Sequence, residues 1–171
     1  MSDGGADAVV EERESLLFFL NRVREALVRT SEGLAEVEQR AAGVPSGTNL
    51  LGLLSHLTAM EVHWFRGVFL GEAVDRDISM QVPEGELRGD VVAAYQEVCA
   101  DSDRIVRACD DLSALSKQDA RVPASSSGDA DPGVDLRVSL RRIVAHMIEE
   151  TARHAGHADI LREQIDGATD L

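Results

Sequence analysis

Four stretches of the chain repeat apolar residues at helical spacing, and polar segments punctuated by glycine and proline separate them. In the first, Leu16, Leu20, Val23 and Leu27 follow the i, i+4, i+7, i+11 rule, with Leu17 and Val28 widening the stripe and Gly33 closing it. A connector over residues 34–47, with a short helical turn at its start, carries Gly43, Pro45 and Gly47. Thr48 or Asn49 then caps a second helix, LLGLLSHLTAMEVHWFRGVFL, which Gly71 ends. Its stripe is Leu53, His56, Leu57, Met60, His63, Trp64 and Val68.

Residues 71–88 have no clean period and read as a loop. Asp90 is the expected cap of a third helix reaching about residue 111, with Val91, Tyr95, Val98 and Ile105 inside. Residues 113–135 are polar and broken around SSSGDADPG, the pattern of a mobile linker or lid. A fourth helix starts between Leu136 and Ser139 and ends at Gly167, with Gly156 a candidate bend or break. No segment alternates as a strand does. The expectation is therefore all-α: a four-helix bundle, with the loop after the second helix long enough to cross over. Residues 1–8 are small and acidic and are expected to be a disordered N-terminus, leaving residues 9–171 as a single domain.

Composition narrows the partners. A net charge of -14 argues against nucleic acid or an anionic membrane surface. No apolar run approaches a membrane span, and the acidic start lacks the features of a signal peptide. Cys99 and Cys109 lie ten residues apart on one expected helix, about 15 Å and beyond disulfide reach. The implied compartment is the reducing cytoplasm. Lys117 is the only lysine among the seventeen basic residues, a bias that fits a GC-rich genome.

The chemistry concentrates in the fourth helix. Relative to His146, at 100° per residue, Glu150 sits about 40° round, His154 about 80° and His157 about 20°. Four groups able to bind a metal or a proton share the face that carries Leu140, Ile143 and Met147. Burying them together is costly unless a metal ion or a closed hydrogen-bond network satisfies them. His56, on the second helix, can meet this face. A His2Glu set suits Zn²⁺ or another divalent transition metal and leaves a coordination position open. Spacing allows three sets that include His56: with Glu150 and His154, with His146 and Glu150, or with His154 and His157.

The runs HMIEETARHAGHADILREQIDG and LLGLLSHLTAMEVHWFRGVFLGE resemble the actinobacterial branch of the DinB superfamily, which includes mycothiol-dependent enzymes. ERESLLFFLNRVREAL and VPSGTNL fit the same branch; residues 72–135 fit by length and helical content alone. The resemblance spans about residues 11–167 and implies a four-helix bundle holding a divalent metal near one end. It further implies His56, Glu150 and His154 as the ligands, because His154-Ala155-Gly156 matches the family's ending and so places its partner at Glu150; many relatives carry histidine there, and the glutamate instead resembles the ligand set of mycothiol-dependent maleylpyruvate isomerase. His157, where relatives often have glutamine, is a candidate for moving a proton, supporting a ligand or touching substrate. Trp64 and Arg142 are candidate cofactor contacts, against the ordinary roles of packing and surface charge. His146 and His63 read as core or supporting residues, and Glu149 with Arg153 as a solvated ion pair.

The function so implied is a metal-dependent S-transferase. Zn²⁺ would hold a low-molecular-weight thiol, mycothiol, as thiolate, and its sulfur would attack a small electrophile in detoxification. Two alternatives stand beside it: a mycothiol-dependent cis–trans isomerase of the maleylpyruvate type, and a non-enzymatic metal-stabilised bundle acting as an interaction or stress-response protein. The apolar face of the first helix is compatible with a monomer or a homodimer.

Overall fold

A computed structural model of the chain describes residues 4–75, 79–120 and 136–169. They form helix α1 (Gly4–Thr30), the short α2 (Glu36–Arg40), α3 (Leu50–Glu61), α4 (Arg88–Ala108) and α5 (Leu140–Asp166). α3 runs straight on into a π-helical segment, Val62–Phe69. Among the described residues there is no strand, only an isolated antiparallel bridge between Leu115 and Ser139. No helix of these residues is long and apolar enough to cross a membrane.

Local chemistry sets most boundaries. Asn49 caps α3, its side chain accepting from the Gly52 N–H at 2.8 Å. Gly71 and Gly167 end the π segment and α5 at φ of 72° and 77°, which glycine adopts without strain. α1 starts at Gly4, ahead of the start near residue 9 that the pattern predicts. α4 starts at Arg88, not beyond Asp90; the Asp90 carboxylate reaches back to accept from the Leu87 N–H at 3.3 Å. Gly156 does not split α5, which continues through it. The SSSGDADPG centre lies outside the described residues, but residues 116–120 before it are tied down. Lys117 and Gln118 donate backbone N–H groups to Phe69 O and Val68 O, both at 3.1 Å, satisfying carbonyls that the helix end leaves unpaired.

Cross-helix contacts fix the directions. Glu12 pairs with Arg141 and Thr30 with Asp159, so α1 and α5 run parallel. His56 meets His154 and Trp64 meets His146, so α3 is antiparallel to α5. Glu14 pairs with Arg107 and Arg88 reaches Val28 O, so α4 is antiparallel to α1 and parallel to α3. The connector between α3 and α4 therefore travels the length of the bundle, the expected crossover. It returns against the start of α3, where a Cβ added at Gly52 would stand 2.6 Å from Met80 O. Gly52→Ala should thus lower stability by about 1–3 kcal/mol despite a helix-propensity gain of about 1 kcal/mol. Urea unfolding of the two proteins checks the sign.

The interior is layered. One apolar cluster joins Leu17, Leu20, Met60, Phe65, Ile143 and Met147; a second joins Leu27, Leu53, Leu54, Leu57, Tyr95 and Leu161. Between them lies a charged layer. Arg24 is buried and donates to both Glu61 carboxylate oxygens, at 2.8 and 2.7 Å, and to Asp103 at 2.8 Å. The buried line of α1 is consequently Leu17, Leu20, Arg24 and Leu27, with Leu16, Val23 and Val28 half-buried. That of α4 is Val91, Tyr95, Cys99, Ser102 and Val106, leaving the expected Val98 and Ile105 at its margin. In the π segment most side chains are buried, His63, Trp64, Phe65, Val68 and Phe69 among them.

Candidate metal centre

Antiparallel packing of α3 on α5 brings the second turn of α3 level with the middle of α5. Leu53 and Leu57 on either side of His56 are fully buried and hold that turn in the bundle. On α5, Glu150 and His154 stand one turn apart on the facing side. One ligand atom each from His56, Glu150 and His154 can be chosen so that all three lie within 4.8 Å of one another. Glu150 Oε1 is 3.1 Å from His154 Nε2 and 3.7 Å from His56 Nε2. Ligands bound at about 2.0–2.1 Å to a tetrahedral ion stand about 3.4 Å apart, a spacing that the two distances from Glu150 Oε1 bracket.

The protonation states fit as well. Burial pushes the Glu150 carboxyl up, but His154 and Arg153 more than offset this and hold it below the usual carboxylate range. Burial lowers the His154 imidazole; His56 and His157 push the same way, and Glu150 opposes them. An ionised carboxylate beside a neutral imidazole is the state that binds a divalent cation.

Two neighbours support the set. His157 Nδ1 lies 3.3 Å from His154 Nδ1, so the ring nitrogen of His154 that faces away from Glu150 has a partner. Arg153 donates to Glu150 Oε2 at 2.7 Å, which leaves Oε1 turned to the histidines. The i, i+4 pairing of Arg153 with Glu149 is present too. The bond to Glu150 is not readable from charge spacing alone, because it depends on which carboxylate turns inward.

The other candidates lie apart from the three. His146 packs on Trp64 with ring centres 4.7 Å apart, and Trp64 is buried with His63 beside it. Arg142 is exposed in the first turn of α5, about two turns before Glu150. Neither cysteine joins the site. Cys99 is buried among Tyr95, Glu61 and Arg24, and burial pushes its thiol up to about 12. Cys109 donates to Asp111 O at the opposite end of the bundle. A reacting sulfur would have to come from outside the chain.

A family model described as Mycothiol-S-transferase matches residues 15–167, a span that includes every residue of the site. No curated protein matches the chain.

Proposed function

From the premise that the chain belongs to the Mycothiol-S-transferase family, and is an enzyme of that kind, we propose that it joins mycothiol to small electrophiles at the His56–Glu150–His154 centre. The observation that carries this reading is the convergence of one carboxylate and two imidazoles from two helices. Zn²⁺ bound there would supply the positive charge that keeps a thiol ionised at neutral pH.

The chain's own residues do the rest. His56 and His154 offer ring nitrogens, and Glu150 offers one oxygen while Arg153 holds the other. His157 fixes the ring of His154 by the bond between their Nδ1 atoms, which sets the direction of Nε2. In the overall reaction the cofactor sulfur forms a bond to an electrophilic carbon, the leaving group departs with the old bonding pair, and the thiol proton goes to water. Holding both reactants in one place is the main rate advantage such a site offers.

Purified protein should carry about one divalent ion per chain by elemental analysis. With monochlorobimane as electrophile it should consume mycothiol about tenfold or more faster than bacillithiol or glutathione, each assayed in parallel. Loss of all three thiols at the uncatalysed rate would refute the proposal.

A further inference from the structure

Next to the metal centre, residues 44–48 and the last third of α5 enclose a cleft of about 390 Å³, lined by Val44, Ser46, Thr48, His157, Ile160 and Leu161. No arginine, lysine or carboxylate is among them. Ile160 is 54% exposed and Val44 36%, so two large apolar side chains meet water beside a polar centre. The volume falls at the low end of the range for small-molecule sites, about 300–1,000 Å³.

The wall of this cleft is built into the fold. Gly43 N–H donates to Thr48 O at 3.2 Å, Gly47 N–H to Val44 O at 2.9 Å, and the Ser46 and Thr48 hydroxyls pair at 3.0 Å. Gly47 takes φ of 87°, and a Cβ at Gly43 would stand 2.2 Å from Leu161 Cδ2. Glycine at both positions lets a self-bonded loop close down on α5. His157 belongs to the cleft and, through His154, to the centre.

We propose that this cleft seats the second substrate, and that the enzyme selects compact, uncharged, apolar electrophiles. The inference rests on the transferase reading above. A polyhydroxylated thiol finds here only His157, already bonded to His154, and two hydroxyls that bond each other, whereas an apolar ring gains by covering Val44, Ile160 and Leu161. A carboxylate finds no cation, which sets dicarboxylate substrates of the maleylpyruvate kind against the site. With a chloromethyl bimane, the carbon–sulfur bond forms as the carbon–chlorine bond breaks, chloride taking the pair and water the thiol proton.

The test uses Ile160→Arg and Val44→Asp, both exposed positions. An unreactive bimane, syn-(methyl,methyl)bimane, is titrated against metal-stripped and metal-loaded protein, and monochlorobimane and iodoacetate are compared as electrophiles with mycothiol. In each variant the dissociation constant for the unreactive bimane and KM for monochlorobimane should rise about tenfold, in either metal state for the former. Metal content, KM for mycothiol and kcat should stay within about twofold. Ile160→Arg should also raise kcat/KM for iodoacetate about fivefold, because it supplies a cation. Bimane affinity and KM unchanged within about twofold in both variants would overturn the cleft assignment. Bimane titration needs neither metal nor thiol, so a failure of the metal-thiol reading would appear separately, as bimane binding that still weakens in both variants while the parent protein conjugates no thiol.

Discussion

Glu150→Gln should strip the protein of its metal and lower thiol conjugation by about a hundredfold or more while the chain stays folded. The amide keeps the shape of the side chain but loses the charge that attracts a cation to the two imidazoles. Changing a group that merely supports a ligand commonly costs 10–100-fold in metal affinity or activity, so losing the only anionic ligand should cost at least about as much. Folding should survive, because Glu150 is half-buried and its loss opens no cavity in either apolar cluster. Glu149→Gln is the matched control. Glu149 is the neighbouring carboxylate, pairs with the same Arg153 and lies exposed outside the set, so its variant should keep metal and activity. Metal content, conjugation rate and far-UV circular dichroism on one preparation of each protein decide the matter. A Glu150→Gln protein that keeps both its ion and its rate would remove the basis for the proposed mechanism.

Helix ends were legible in the sequence where the capping chemistry is local. Asn49 before an apolar run, and Gly71 and Gly167 after one, act within a turn of where they stand. The inner faces of α1 and α4 were harder to read. Leu17, Leu20, Leu27, Val91 and Tyr95 of the expected stripes are buried, but Arg24, Cys99 and Ser102 occupy central positions beside them in place of Val23, Val98 and Ile105. Nothing near Arg24 in the chain announces Glu61; the pair exists only once two antiparallel helices are set at one height. The same limit applied to the site. Glu150 and His154 share a helix and a face, which periodicity reads directly. Which of them His56 meets depends on the relative axial position of α3 and α5, and spacing left three sets open. Resemblance pointed to the three residues whose ligand atoms converge. It gave no hint of the bond from Arg153 to Glu150, nor of the apolar wall beside His157. The π segment has no local signal either, since each of its residues would also suit an α-helix.

Arg24→Met or Glu61→Leu alone should destabilise the protein by about 3–5 kcal/mol, because each leaves the other charge without a full partner in the bundle interior. That is a large part of the roughly 5–15 kcal/mol that holds a domain of this kind together. The double variant Arg24→Met/Glu61→Leu should recover most of the loss. It removes the pair's desolvation cost with its attraction, and Asp103 still has Asn21 and Arg107 as partners. Urea unfolding of the four proteins gives the coupling directly; single variants within about 1 kcal/mol of the parent would mean the pair is solvated after all. The more telling readout is the metal. Arg24, Glu61 and Asp103 tie α1, α3 and α4 at one height, and α1 is tied in turn to α5 through Glu12 with Arg141 and Thr30 with Asp159. Through these links the pair sets how far along α5 the turn bearing His56 falls. Apolar side chains would fill the layer without fixing that height, since hydrophobic contact has no direction. The double variant should therefore regain stability yet bind metal about tenfold more weakly than the parent, separating the energy of the core from the alignment it provides.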